Sequence, residues 1–542
     1  MDEPTSNGMQ AKQLGHTRHL AKHAALLLSS GVVGYAGAFA LNVLLGRALG
    51  QSGLGAWAIA YAATQASATL GLLGANWILV RQGSYYHGIG DLPRLRRTIH
   101  LTIFLAGGAL LLISGGLVLL APLLDERFFE GDSLVPMLRL AALAIPIVGI
   151  GQVMLYATQA FKNMRVWALV KNILQPTIRV VTAVIALLIA TTPLSAFAGL
   201  VVGEIIVTAT ATFALHRRLP LFGPTDRIGR RELIRFALPA WGSRVVETSR
   251  AQLFPVMLGS LASLSQTGAY VTSKRISLAP SAINAALNQV YSPMASNLYL
   301  QNRREELTTL FKSMGKWSFT LAFPLFCLQV AFPKEILSIF GPDFRDASTA
   351  LVVLAFSVLF IFGTGPVTNT LILTGRSRLA FYDYLAVVGT EIVLGFWLIP
   401  RYGVLGAAVA HLAGTALNNL LPLWQVWSAA RLHPYRLDYW KPIIAGLASV
   451  LVGKGVIALA GVGSGVVAAV LAVVIIGLVY LGLLLVMGLG PEDRAAIGAL
   501  TGRLGGGRDK DPSDPDALEH GVAPVDEEVE EEAPAPPTLG RL

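Results

Sequence analysis

An all-α integral membrane protein of about fourteen transmembrane helices is the fold class that three features of the sequence predict. These are an apolar composition, repeated runs of some twenty apolar residues, and an alternation of charge between the loops. Of 542 residues, 54% are hydrophobic and 14% charged, with a mean hydropathy of +0.60, beyond the range of soluble globular domains. The one cysteine, Cys327, lies in an apolar run, so neither an internal disulfide nor a cysteine-rich zinc site can form.

Residues 1–23 are polar and weakly basic and lack the apolar core and cleavage site of a signal peptide, so they are expected as an uncleaved cytoplasmic N-tail. Six windows long enough to cross the hydrocarbon core follow within 24–216, at 24–46, 54–80, 98–121, 134–158, 166–190 and 194–216. A basic linker at 217–235 leads to six more within 236–430, at 236–260, 267–292, 315–332, 347–373, 379–399 and 403–430. Windows 441–460 and 466–488 form an accessory pair within 441–488. From 489 to 542 the chain turns to Gly, Pro, Asp and Glu, ending in "DEEVEEEAPAPPTLGRL", which reads as a disordered cytoplasmic tail suited to an electrostatic spacer.

With the N-tail inside, 29 Lys and Arg fall in cytoplasmic segments and 6 in the opposite loops. That bias predicts a multi-pass protein of the cytoplasmic membrane with both termini cytoplasmic. It also accounts for most of the net charge of +10 without a nucleic-acid partner, since the basic residues are spread over many short loops.

At an offset of 213 residues, "LGRALGQSGLGAWA" from Leu45 aligns without gaps with "LGSLASLSQTGAYV" from Leu258, and Arg165 meets Arg378. An internal duplication is the expectation. Six helices is an even number, so the two six-helix lobes would be parallel repeats around a central cavity, with a site near the membrane midplane.

Several stretches carry a resemblance: "GRALGQSGLGAWAIAYA", "IFGPDFRDASTALVVLAFSVLF", "LTGRSRLAF" and "LIPRYGVLGAAVAHLAGTAL". Together they resemble the polysaccharide-transport branch, which includes the Wzx-type oligosaccharide flippases, of the multidrug/oligosaccharidyl-lipid/polysaccharide exporter superfamily. The likeness runs from about residue 20 to residue 430, and the last two helices match the fourteen-helix versions. The resemblance implies a flippase that turns an undecaprenyl-diphosphate-linked oligosaccharide outward by alternating access, without a cofactor. Its partners would be the lipid-linked glycan, the bilayer, and envelope polysaccharide glycosyltransferases or a polymerase.

One window is long and apolar yet charged: "FALPAWGSRVVETSRAQLFPVMLG", from Phe236, holds Arg244, Glu247 and Arg250. Each charge at bilayer depth costs about 2.5 to 3.5 kcal/mol on insertion scales, so such residues must face protein or a watery cavity. Lys274 and Arg275 follow in the next window, with Arg179 and Glu204 near mid-membrane in the first lobe. Five cations against two carboxylates leave a surplus of three positive charges, which suits a multiply charged anion. Given the resemblance, Arg244, Arg250, Lys274, Arg275 and Arg179 are the expected diphosphate site. Glu247 is expected to orient its neighbouring arginines. Glu204 and Glu391 are candidates for proton coupling or for structural pairing, with Arg179 the partner for Glu204.

Asn42, Gln65, Asn76, Gln152, Asn284, Asn288, Gln289 and Asn369 could bond sugar hydroxyls or tie helices together. Lys454 is expected at a helix interface, and no role follows for His411. A multidrug exporter of the same superfamily is the alternative, disfavoured by the positive surplus. A membrane glycosyltransferase or polymerase is less favoured still, because the outer loops are short and their acids show no acid/base spacing. No GxxxxGK[ST] loop is present for direct use of ATP.

Overall fold

The computed structural model describes residues 6–488 apart from 130–133, 162–163, 227, 432, 436, 462 and 464. Side chains are described from residue 30 onward except at 32, 164–165, 230–236, 282, 285–286, 290, 377, 429–430 and 437. The tail expected from residue 489 lies outside the described residues, and the N-tail is described from residue 6, by its backbone, as the start of the first helix.

Among the described residues every regular element is a helix. α1 (Ser6–Gly71) and the single turn α2 (Ala75–Ile78) lead through a π-helical stretch, Leu79–Gly83, into α3 (Ser84–Gly88). α4 (Leu92–Phe128), α5 (Val135–Gln159), α6 (Met164–Ala168), a second π-helical stretch at Leu169–Leu174, α7 (Gln175–Ile189) and α8 (Pro193–His216) complete the first part. α9 (Arg230–Leu261), α10 (Leu264–Ser277), α11 (Ser281–Leu300), α12 (Arg304–Ala331) and the short α13 (Pro333–Leu337) open the second. α14 (Ser348–Gly363), α15 (Val367–Leu373) and α16 (Ser377–Ala430) follow, and α17 (Trp440–Leu459) and α18 (Val466–Val486) end it.

Two of these helices are too long to be straight. The 66 residues of α1 would extend about 99 Å at 1.5 Å per residue, several bilayers' worth of hydrocarbon. Gly50 breaks it with φ 67° and ψ −172°, a conformation open to glycine. The chain reverses there, since Gly37–Asn42 and Trp57–Tyr61 line one cavity together. α16 reverses likewise at Gly403 (φ 53°, ψ −127°), which brings the backbone of Gly414 against the Glu391 side chain.

Nine helices among the described residues are long and apolar enough to cross a membrane, the two reversing ones included. Expected spans 236–260, 267–292 and 315–332 fall on α9 to α12; α10, with 14 residues, is too short for that class, and charged and polar residues keep the other three out. Three expected spans are interrupted. 267–292 is split ahead of Pro280, whose missing N–H and ring end the helix. 347–373 is split around Gly365 (φ 67°), and 54–80 at Leu73 and Gly74, both with positive φ. Lys454 corrects another expectation: it is exposed on α17, not in a helix interface.

The 217–229 connection is fastened to the start of α4. Arg96 Nε donates to the Pro220 carbonyl at 2.9 Å, and Arg94 Nε approaches Asp226 at 3.1 Å. With Arg81, Arg97, Arg217 and Arg218 nearby in sequence, this end is the basic face.

On the opposite face α1 and α10 cross at backbone contact. A Cβ on Gly55 would collide with the Leu264 carbonyl oxygen, and one on Gly268 with the Gln51 carbonyl oxygen. The offset of 213 carries Gly55 onto Gly268 and Gln51 onto Leu264, so each close approach is the image of the other. Gly46 and Gly259, also 213 apart, pack on Phe340 and Phe129 respectively. Polar pins reinforce the crossing. Ser265 Oγ donates to Gln51 Oε1 at 2.6 Å, Gln51 Nε2 to the Asp343 carbonyl at 2.7 Å, and Arg47 Nε to the Ile339 carbonyl at 2.7 Å. One apolar core, containing Leu45, Trp57, Phe197, Ala269, Phe340 and Leu351, runs through both parts of the chain beside it.

Alanine at Gly55 or Gly268 should therefore lower the thermal midpoint of the purified protein by several degrees, an overpacking cost of about 1–3 kcal/mol. Gly389→Ala on α16, where open space surrounds the new methyl group, should leave it unchanged. Equal midpoints for all three variants would show that the α1 and α10 backbones do not need to touch.

Candidate substrate cavity

Beneath the α1–α10 crossing lie two neighbouring cavities that share one lining residue. The deeper one, about 250 Å³, is lined by Asn42, Trp57 and Tyr61 of α1, Arg179 of α7, Gln252 of α9, and Lys274 and Arg275 of α10, among others. The other, about 180 Å³, lies toward the basic face between Gln65 and Thr69 of α1, Gln152 and Tyr156 of α5, Trp167 and Lys171, and the α9 residues Trp241, Arg244, Thr248 and Gln252. Gln252 lines both.

The α9 residues recur three or four apart, the spacing that keeps a stripe on one helix face. A polar stripe turned to a cavity is the physical reason an otherwise membrane-length helix tolerates charge.

The expected site residues divide into two groups. Lys274 and Arg275 line the deeper cavity, and neither has a carboxylate partner among the described residues. Lys274 Nζ lies 3.4 Å from the Ala251 carbonyl and 5.7 Å from the centre of the Tyr270 ring. Tyr35 Oη donates to the Arg275 backbone carbonyl at 2.8 Å, fixing that turn of α10 against α1.

Arg179 also lines the deeper cavity, but its Nε donates to Glu204 Oε1 at 2.6 Å, with the guanidinium 5.8 Å from the Tyr61 ring centre. Glu204 is buried and accepts two further bonds from Gln175 Nε2, at 3.1 and 3.0 Å, so every element of that pair is held. Arg244 lines the cavity nearer the basic face and pairs at 2.8 Å with Glu247; both are about half exposed.

Arg250 departs from the expected diphosphate site, for it lines neither cavity. It turns to α16 and binds Glu391 in a fork, Nε to Oε2 at 2.9 Å and Nη2 to Oε1 at 2.8 Å. Glu391 is fully buried, His411 Nδ1 stands 3.5 Å from its Oε1, and the His411 ring meets Phe254 edge-on at 5.7 Å. Glu247, expected to orient both of its neighbouring arginines, pairs with Arg244 alone among the described residues.

Lys171, one of the 29 Lys and Arg that the charge count assigns to cytoplasmic segments, lines the cavity instead. It follows Trp167 by four residues, a helical spacing that could have placed it on the same wall, and it lies in the π-helical stretch whose wider turn shifts the register of α7. The two cavities are lined by Lys171, Arg179, Arg244, Lys274 and Arg275; Glu204 and Glu247 line neither but pair with Arg179 and Arg244, so the surplus of three positive charges stands with a changed membership.

The amides divide similarly. Asn42, Gln65, Asn76 and Gln152 line the cavities. Asn288 donates to Asn284 at 3.0 Å and Asn369 to Asn288 at 2.9 Å, tying α15 to α11, while Gln289 is exposed.

Comparison with known proteins places this architecture. Residues 20–299 match the family model described as "Polysaccharide biosynthesis protein", and residues 239–397 match the MatE model. The chain is 27% identical over 271 residues to the "Probable flippase AglR" of Haloferax volcanii, covering 48% of this chain and 53% of that one. It is 26% identical over 125 residues to the "Capsular polysaccharide biosynthesis protein CapF" of Staphylococcus aureus, covering 23% of this chain and 32% of the relative. The chain thus spans about half or less of the curated relatives it matches. Among solved structures, "Lipid II flippase MurJ, inward closed conformation" superposes with a TM-score of 0.66 at 15% identity, covering 85% of this chain and 98% of that one. An inward-facing multidrug resistance MATE family transporter gives 0.58 at 13% identity, over 75% and 99%. Both likenesses establish the fold. With the first family model covering more than half of its residues, the chain belongs to the polysaccharide biosynthesis protein family, in the flippase branch of the multidrug/oligosaccharidyl-lipid/polysaccharide exporter superfamily.

Proposed function

We propose that this protein is a flippase that carries an undecaprenyl-diphosphate-linked oligosaccharide, a precursor of envelope polysaccharide, across the cytoplasmic membrane by alternating access. The observation that carries the reading is the pair of cavities lined by five cations, of which two are paired with carboxylates and three, Lys171, Lys274 and Arg275, lack a carboxylate partner among the described residues. A cation held out of bulk water without a counter-charge is costly unless a ligand supplies one. A diphosphate supplies about two negative charges and the oxygen acceptors that arginine and lysine donors fit.

The reciprocal contacts at the 213-residue offset support two six-helix lobes, 24–216 and 236–430, rocking about the α1–α10 crossing with α17 and α18 as an accessory pair. The basic face is then cytoplasmic, as the excess of Lys and Arg requires, and glycosyltransferases of the same envelope pathway are the natural neighbours there. Of the expected site, Lys274, Arg275 and Arg179 hold the anion with Lys171 and Arg244 at the approach, while Arg250 acts structurally through Glu391. A site for drug cations would need the opposite charge.

Two experiments test these roles. In proteoliposomes carrying a fluorescent undecaprenyl-diphosphate glycan, Lys274→Ala and Arg275→Ala should cut the flipping rate at least about tenfold, the loss of roughly 1.4 kcal/mol or more of anion binding. Lys454→Ala should flip at the parental rate, and full activity in the first two variants would sink the anion-site assignment.

Stability separates the pairs. Glu204→Gln and Glu391→Gln each leave an arginine buried without its counter-charge and should destabilise the purified protein by about 3–5 kcal/mol, whereas Glu247→Gln, in an exposed pair, should cost less than about 1 kcal/mol. An Arg250→Met, Glu391→Leu double variant should recover much of the loss seen in Glu391→Gln. Thermal denaturation in detergent reads all four, and equal midpoints for the three single variants would remove the structural role assigned to the buried pairs.

A further inference from the structure

The two cavities differ in chemistry. The deeper one presents three cations, Arg179, Lys274 and Arg275, with Asn42 and the rings of Trp57 and Tyr61, the latter already bonded to Gln65 and lying 5.8 Å from the Arg179 guanidinium. The one toward the basic face holds two cations, Lys171 and Arg244, the latter paired with Glu247, and presents two indoles, Trp167 and Trp241, together with the amides of Asn76, Gln152 and Gln252.

Those three amides make no side-chain hydrogen bond to any described residue, although Gln65 beside them donates to Tyr61 Oη at 2.6 Å. Each amide keeps a carbonyl acceptor and two N–H donors for something in the cavity. Trp241 is fixed, because its Nε1 donates to the Leu70 carbonyl at 3.1 Å and locks the indole as part of the wall. Flat apolar rings beside uncommitted neutral donors and acceptors complement a pyranose, which offers a C–H face and a rim of hydroxyls able both to donate and to accept. An inorganic anion uses neither the rings nor the acceptors.

We infer that the cavity toward the basic face is a saccharide chamber. The sugar bonded to the diphosphate seats against Trp167 and Trp241 and exchanges hydrogen bonds with Asn76, Gln152 and Gln252, while the diphosphate occupies the deeper cationic cavity. Gln252, lining both spaces, sits where the glycosyl-phosphate bond passes from one to the other. This inference rests on the flippase reading and divides its site into two chemically distinct parts.

The test is binding of three probes to the full-length protein in lipid nanodiscs: undecaprenyl diphosphate alone, and the same lipid bearing one N-acetylhexosamine or one neutral hexose. The parental protein should bind at least one sugar-bearing lipid about tenfold more tightly than the bare lipid. Trp241→Ala and Gln152→Leu should erase that increment and leave bare-lipid affinity within about twofold, and Trp241→Phe, which keeps a ring, should retain most of it. Arg275→Ala should weaken all three probes alike. Equal affinity of the parental protein for bare and sugar-bearing lipids would overturn the saccharide chamber and leave the flippase reading standing. So would a Trp241→Ala variant that weakens both kinds of lipid equally. Failure of all three probes to bind the parental protein would bring down the flippase reading itself.

Discussion

The contact on which the rest of the structure depends is the crossing of α1 and α10, where Gly55 and Gly268 let two backbones touch. A side chain at either position would push the helices apart by more than a small adjustment, since what it meets is main chain. That closeness seals one face, and the cavities take their position from it. Trp57 and Ala58 stand within a turn of Gly55, and Val271 within a turn of Gly268, and these three residues line the deeper space. Everything polar in the centre of the molecule therefore lies between a sealed end and the basic face. The charges of α9 are tolerable because the helix has somewhere other than lipid to put them.

Charge is handled in two distinct ways around that space. Arg179 with Glu204, and Arg250 with Glu391, are buried pairs bonded to one another, the first also to Gln175, with His411 standing beside the second. Such pairs are demanding to bury and punishing to break, which makes them effective at fixing which helix lies against which. α7 is fixed to α8 by the first, and α9 to the middle of α16 by the second. Lys171, Lys274 and Arg275 make no such commitment. A cation without a bonded carboxylate fixes no helix to another, and in the flippase reading a ligand brings the missing charge.

Much of this was legible in the sequence, for reasons that differ residue by residue. Fold class followed from apolar run lengths, which reflect bilayer thickness and little else. The 213-residue offset was visible because glycines at close contacts leave little room for a substitute: Gly55 and Gly268 meet backbone, Gly46 meets Phe340, and Gly259 meets the Ile59 and Phe129 side chains. The pairing of Arg179 with Glu204 could be read from equal membrane depth on consecutive helices. That of Arg250 with Glu391 could not, because the partners are 141 residues apart and no local periodicity relates them. Lys171 was misplaced because a lysine near a helix end looks like a loop charge, and the π-helical stretch that turns it inward has no clear pattern of residues. Thr248 and Gln252 were passed over because single polar residues in a span are common, and only the cavity shows which of them matter.

Positions related by the 213-residue offset differ in charge. At the offset of 213, Arg250 corresponds to Gly37 and Lys274 to Tyr61. Gly37 packs so closely on Pro176 that a Cβ would fall 2.8 Å from its side chain, and Tyr61 lies beside the Arg179 guanidinium. The first half thus uses these positions for close packing and for a ring against a paired arginine, while the second uses them for cations. A fully symmetric pair of lobes would present the same charges from both sides and repel itself across a narrow space in which little water screens the interaction. Putting the uncommitted cations mainly on α10, opposite Trp57 and Tyr61, relieves that repulsion and gives the cavity a direction. In the flippase reading the anion is then held chiefly by one half and faced by rings and amides of the other, an arrangement in which parting the halves need not break every contact at once.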